Sequence, residues 1–207
     1  MTKVAGRPLR ADARRNRERV LNAAREVFSR EGMDAQIDDV ARQAAVGVGT
    51  VYRHFPTKDA LIQALAEDSL ERVADAAQAQ LEREDCDAFE AFAQALWNGA
   101  SIFALDRSLC ELMVSVPGTP AMEPTTAQRL DTTVGELLRR AQAEGSARAD
   151  LVLDDVGMVM CGIGAATRKQ HICADAWKRH LSIVIDGMRS EGARAPLPTS
   201  LCEPPEA

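Results

Sequence analysis

Aromatic side chains are scarce in this chain: two Trp, one Tyr and five Phe make up 4% of its 207 residues. Sheets lean on aromatic and β-branched residues, whereas a chain 46% hydrophobic that draws on Ala and Leu, among many Arg and Glu, favours helices. Cysteine gives no scaffold either. Cys86, Cys110, Cys161, Cys173 and Cys202 are odd in number and widely spaced, so no disulfide framework is suggested. Long apolar runs are missing: the longest uncharged stretch, Ala91 to Leu105, has 15 residues and includes Gln94, Asn98 and Ser101. That is short of the roughly 18 expected of a membrane span. The chain begins polar and basic with no apolar h-region, so no secretory signal is expected. The expectation is a soluble cytoplasmic protein with no membrane partner. Catalytic signatures are also absent, with no Gly-rich phosphate loop, nucleophile elbow or H-E-x-x-H. Cys161, His171 and Cys173 lack the paired spacing of zinc ligands and read as ordinary side chains. Neither an enzyme nor a metal or other cofactor is expected.

Acidic residues outnumber basic ones, giving a net charge of −6, yet the imbalance is not uniform. Residues 1–60 carry 12 Lys/Arg against 8 Asp/Glu; the remainder carries 13 against 23. A basic module on an acidic body suits a nucleic-acid reader joined to a separate partner domain.

Within the basic module, Ile37, Val40, Ala41 and Ala44 fall at i, i+3, i+4 and i+7, one apolar face of a short helix. After a break at Ala45-Val46-Gly47, Val48, Val51 and Phe55 repeat the pattern and are expected to point inward. Gly49, Thr50, Arg53 and His54 then share the outward face. Two short helices joined by a tight turn form a helix-turn-helix, whose second helix enters the DNA major groove. Gly49 lets backbone approach DNA, Thr50, Tyr52 and His54 offer hydrogen bonds, and Arg53 suits a guanine edge. Lys58, opening the next helix, is within reach of a phosphate. On periodicity alone, a surface helical hairpin with a polar face fits equally well.

The run A-x-x-A-x-V-x-V-G-T-V-Y-R-H-F-x-x-K-x-x-L, Ala41 to Leu61, resembles the DNA-binding domain of TetR-family transcriptional regulators. Its most specific part is G-T-V-Y-R-H-F-P-T-K-D-A-L, Gly49 to Leu61. The chain departs from the family pattern in three places: Ala45 stands where Gly is usual in the turn, Gly47 where Ser is usual, and Gln36 where a Thr commonly opens the first helix. The resemblance implies a double-stranded DNA operator, met by Arg7, Gln36, Val48, Gly49, Thr50, Tyr52, Arg53, His54 and Lys58.

The rest of the chain reads as helices. Residues 1–15, with Lys3, Arg7, Arg10, Arg14 and Arg15, are expected to form a flexible basic arm. Gly6-Arg7-Pro8 resembles a minor-groove arm, and a solvated basic tail fits as well. A first helix is expected from about Asn16 to Glu31, completing a DNA-binding domain over 16–57. A helical domain for effector binding and dimerisation is expected over 58–191. Its helices run from Thr57 to about Glu84, from Asp87 through Phe103, over 106–116, from about Pro124 to Glu144, over Val156 to Ala166 and from about Asp175 to Arg189. The Pro-rich stretch 117–124 reads as a loop and 192–207 as a disordered tail. This is an all-α fold of about nine helices.

Val156 to Ala166 is apolar or glycine at every position, so it needs two covers: the body's own core and, most simply, a second copy of the chain. In TetR-like proteins the last two long helices form a four-helix dimer interface. That assigns Val156, Met160, Gly164, Trp177, Leu181, Val184, Ile185 and Met188 to a homodimer seam. The same resemblance implies a ligand cavity in the body, assigned to Phe92, Leu96, Trp97, Phe103, Met113, Met122, Val134, Met158 and Cys161; each alone could be plain core. Trp97 is the single strongest expectation. The segments A-R-A-D-L-V-L-D-D-V (147–156) and V-I-D-G-M-R (184–189) resemble one subgroup of these regulators. The expected protein is a dimeric repressor released from a palindromic operator by a small, mostly apolar effector. An effector-independent DNA binder and a helical scaffold for protein partners remain the alternatives.

Overall fold

The computed structural model describes residues 7–32, 34–105, 124–167 and 175–198. Over these residues the chain is all helical: α1 (Arg7–Glu31), α2 (Ile37–Gln43), α3 (Val48–His54), α4 (Lys58–Leu81), α5 (Ala88–Leu105), α6 (Pro124–Ala143), α7 (Leu153–Thr167) and α8 (Ala176–Met188). The helix expected over 106–116, together with Met113, Met122, His171 and Cys173, lies outside the described residues.

The amino-terminal unit packs α1, α2 and α3 against the first turns of α4. Val20, Ala24, Val27 and Phe28 of α1 meet Val40 and Ala41 of α2, Val51 of α3, Phe55, and Leu61 and Leu65 of α4 in one buried core. Each large apolar side chain fully withdrawn from water here is worth roughly 1.5–3 kcal/mol. α1 begins at Arg7, well before the expected Asn16. The reason is local: Pro8 falls in the first turn, where a missing N–H costs no bond, and the Ala- and Arg-rich segment favours helix. Arg14 pairs with Glu18 at 3.6 Å, and Arg15 pairs with Asp12, adding support along the helix surface. Residues 7–15 are therefore helix rather than a flexible arm.

Thr57 caps α4, its hydroxyl accepting the Ala60 N–H at 3.0 Å. α4 ends at Leu81, short of the expected Glu84, and Asp87 accepts the Glu90 N–H at 2.7 Å where α5 starts. The body core unites Phe89, Phe92 and Leu96 of α5, Leu137, Leu138 and Ala141 of α6, Val156 and Ile163 of α7, and Trp177, Leu181, Ile185 and Met188 of α8. A small third cluster, Ala66, Leu70 and Val73 of α4 with Phe103 of α5, lies between the two cores.

The loop before α7 is tied to the end of α8. The Arg148 N–H donates to the Met188 carbonyl and the Ser190 N–H to the Ser146 carbonyl, both at 3.0 Å. Arg148 also pairs with Asp150 at 2.6 Å and donates to the Ala195 carbonyl, while the Leu197 N–H donates to Asp150 at 2.8 Å. Together these contacts hold Asp150 well below the ordinary carboxylate range, the Arg148 hydrogen bond first. Residues 192–198 are thus anchored here instead of forming part of a disordered tail.

Candidate functional site

The turn between α2 and α3 is a Schellman closure: the Ala45 N–H donates to the Arg42 carbonyl at 3.1 Å and the Val46 N–H to the Ala41 carbonyl at 3.0 Å. It places Ala45 at φ 51°, the left-handed region where the family pattern has Gly. Arg19 of α1 donates to the Ala44 carbonyl at 2.6 Å and the Ala45 carbonyl at 3.2 Å, so α1 clamps the turn. Gln36 precedes α2; its backbone N–H donates to Asp39 at 3.4 Å and its side chain to the Asp34 carbonyl at 2.8 Å.

α3 turns Val51 fully inward and leaves Val48, Gly49, Tyr52 and Arg53 exposed. Val48 does not point inward as its spacing suggested. It opens a seven-residue helix whose inner face is filled by Val51, with Phe55 buried just after its end, so the first position stays at the rim. Among the described residues, Gly49 has no neighbour within 4 Å of the place a Cβ would occupy, leaving clear approach to its backbone. Thr50 is half-buried at the edge of this face. His54 is half-buried too, its Nε2 enclosed without a hydrogen-bond partner among the described residues and its ring 6.2 Å from Phe55, so it does not stand outward with Arg53. The Lys58 ammonium lies 5.9 Å from the centre of the Phe28 ring, which holds its stem against the core. Arg7 is the first residue of α1.

In the body, a cavity of about 230 Å³ opens between α4, α5, α6 and α7. Leu70, Val73 and Ala77 of α4 form one wall; Ala95, Leu96, Gly99 and Phe103 of α5 form the second. Leu130, Asp131 and Val134 of α6 and Leu153, Val156, Gly157, Met160 and Cys161 of α7 complete it. Four of the residues expected here, Leu96, Phe103, Val134 and Cys161, are in place. Phe92 is buried in the body core, one turn away from the cavity wall. Trp97 is turned to the other side of α5, its ring 5.8 Å from that of Trp177. Met158 is 74% exposed on the outer side of α7, about half a helical turn away from the lining Val156 and Met160. The lining residues missed were the α4 wall, the small pair Ala95 and Gly99, Leu130 and Asp131 of α6, and Leu153 and Gly157 of α7, while Val156 and Met160 had been expected in the dimer seam. For Ala95 and Gly99 the sequence signal was two small residues on one helical stripe with Phe103.

The expected seam divides differently. Val156, Gly164, Trp177, Leu181, Ile185 and Met188 are buried within the chain itself, and Met160 lines the cavity. The apolar surface of the last two helices left uncovered runs through Met158, Cys161 and Ala165 of α7 and Ile183 of α8, with half-buried Val184 beside it.

The profile of bacterial regulatory proteins of the tetR family matches residues 20–65, and that of the SbtR-like transcriptional regulator C-terminal domain matches residues 84–190, just over half the chain. The chain belongs to the TetR family. A TetR transcription regulatory protein from Mycobacterium vanbaalenii is 36% identical, with a TM-score of 0.65 over 88% of this chain and 99% of its own. The TetR transcriptional regulator SCO0520 from Streptomyces coelicolor is 30% identical, with a TM-score of 0.63 over 84% and 98%. Among curated relatives, the HTH-type transcriptional regulator UidR from Escherichia coli is 42% identical over 65 residues, 31% of this chain and 33% of UidR. The chain thus spans about a third of the length of the first curated relatives it matches. It is a TetR-family transcriptional regulator with a DNA-binding helix-turn-helix, and no helix among the described residues is long and apolar enough to cross a membrane.

Proposed function

We propose that this TetR-family protein is a dimeric repressor that binds a near-palindromic operator through α3 and leaves it when a small, mostly apolar molecule fills the body cavity. One observation carries the reading. α4 is a single helix whose first turns belong to the core of the DNA-binding unit, through Leu61 and Leu65, and whose middle forms a cavity wall, through Leu70, Val73 and Ala77. Anything that shifts this wall shifts the mounting of α3. Thr50 and Arg53 lie nearest the base edges, while Tyr52, Lys58 and the opening of α2 at Gln36 meet phosphates. Dimerisation uses the uncovered surface of Met158, Ala165 and Ile183, and a second copy is the simplest cover for it, with Cys161 left at the cavity rim.

A ligand releases DNA only through a difference in affinity between the two conformations. The test is selection of bound sequences from random duplexes, followed by fluorescence anisotropy on the selected operator with and without ligand. The expected result is tight, salt-sensitive binding by a dimer, weakened at least tenfold by a ligand that occupies the cavity. Equal affinity for operator and random DNA at physiological salt would sink the proposal.

A further inference from the structure

We infer that the cavity takes a ligand with an apolar body and a cationic head, and that Asp131 is the residue that selects the head. This rests on the proposal that the cavity is the effector site. Of the lining residues, only Asp131, Gly157 and Cys161 are exposed, so the mouth lies between α6 and α7. Among the described residues, Asp131 is the one charged group in the lining, and none of the described Lys or Arg lines it. The nearest candidate counter-charge on its own helix, Arg129, is committed elsewhere, to Asp75 at 2.8 Å and the Glu71 carbonyl at 3.3 Å. Asp154, exposed in the first turn of α7, shares a helical stripe with Gly157 and Cys161 and adds a second negative charge on that side. Among the described residues, Gly157 has no neighbour within 4 Å of a Cβ position, so none of them fills the entrance.

Size supports a compact molecule. At about 230 Å³ the cavity exceeds the ~150 Å³ that suffices for a benzene ring in a protein interior. An apolar body of that size would fill the space beside Gly99 and Met160, leaving its head at the mouth. There a carboxylate favours a protonated amine and opposes a carboxylate.

The experiment is calorimetric binding of n-octylamine, 1-octanol and octanoate at low salt to the full-length wild-type protein, Asp131→Asn and Gly157→Phe. The expected order is amine, alcohol, acid, with the amine about fivefold ahead of the alcohol, the fold-change of one rim ion pair. Asp131→Asn should bring amine and alcohol level without weakening the alcohol. Gly157→Phe, at an open surface position, should weaken all three. If wild type binds amine and alcohol equally and Gly157→Phe still weakens both, the cavity reading stands and the cationic head is refuted. If none of the three binds wild type, or Gly157→Phe changes nothing, the cavity fails as the site and the inference fails with it.

Discussion

Two helices of this chain end in the same way with different residues, and the pair makes a quantitative test. At the end of α6 the Gly145 N–H donates to the Gln142 carbonyl and the Ser146 N–H to the Ala141 carbonyl, both at 3.0 Å, with Gly145 at φ 74°. At the end of α2 the same two bonds close around Ala45 at φ 51°. An L-residue held in the left-handed region costs roughly 1–2 kcal/mol. Replacing Ala45 with Gly removes that cost but adds unfolded-chain freedom worth roughly 0.4–1 kcal/mol. The balance is a gain of about 0.5–1 kcal/mol, with Gly145→Ala losing a similar amount. Ala45→Val should go the other way, because a β-branched residue fits this region worst. Packing does not confound the comparison, since Ala45 is exposed and, among the described residues, Gly145 has no neighbour within 4 Å of a Cβ position.

The assay is thermal unfolding together with hydrogen exchange of the Val46 amide, which reports the closure of this turn. Ala45→Gly should raise the melting temperature by about 1–4 °C and slow exchange, while Ala45→Val does the reverse. Operator affinity should stay within about twofold for Ala45→Gly, because the carbonyls clamped by Arg19 keep their places. If Gly and Val substitutions shift stability in the same direction, left-handed strain is not what the turn carries.

The remaining predictions address the other links. Leu181→Ala should cost about 2–5 kcal/mol in urea unfolding, as a fully buried core residue, whereas Ile183→Glu should fold normally and sediment as a monomer. Trp97→Ala should lower stability through loss of its contact with Trp177 yet leave ligand affinity unchanged by calorimetry. Lys58→Ala should weaken all duplexes alike and flatten the salt slope by about one, while Arg53→Ala relaxes preference at one base in a selection experiment. Acid should destabilise the body. Hydrogen bonds from Arg139 and Arg140 hold Glu136 at about 2 instead of 4.5, and Asp150 is held below its ordinary 3.8. Both carboxylates have lowered folded values, so their stabilisation is complete above the ordinary values and is lost as pH falls below them. Melts from pH 6 down to about pH 2 should show this loss, and Asp150→Asn should reduce it.

Much of the fold was legible because helix periodicity and stop signals are local. Gly32 and Gly145 mark the ends of α1 and α6 at positive φ, and Thr57 caps α4, all readable without tertiary information. The site was legible in its types and less so in its facing. A helix such as α7, apolar at nearly every position, does not announce which stripe its own core takes, and Met158 was assigned to the wrong one. The same ambiguity affected α8. Trp177, Leu181, Ile185 and Met188 form a continuous inward face, but sequence alone cannot say whether the cover is the chain's own α5 and α7 or a second copy. Trp97 failed for a related reason: the neighbour of a core residue points either to a cavity or to another helix, and here Trp177 was waiting. Residues 7–15 misled because clustered Arg reads as solvated tail, although Arg is also a good helix former.

The continuity of α4 sets what a ligand must accomplish. Lys58 and Val73 are 15 residues apart on one helix, about 22 Å at 1.5 Å per residue. On the proposed reading, a tilt of about 5° pivoting near Val73 carries the Lys58 end by about 2 Å. A second copy related by two-fold symmetry moves the opposite way, so the spacing of the reading helices changes by up to twice that. Phosphate contacts of 2.7–3.2 Å do not survive such a shift on both half-sites at once. The energy required is small: a tenfold loss of operator affinity is about 1.4 kcal/mol, less than the transfer energy of one well-buried Leu side chain. A ligand touching Leu70 and Val73 on one side and Gly99 and Met160 on the other can supply it if those contacts exist in only one tilt. Linkage then fixes the converse: operator DNA must weaken that ligand's binding by the same factor.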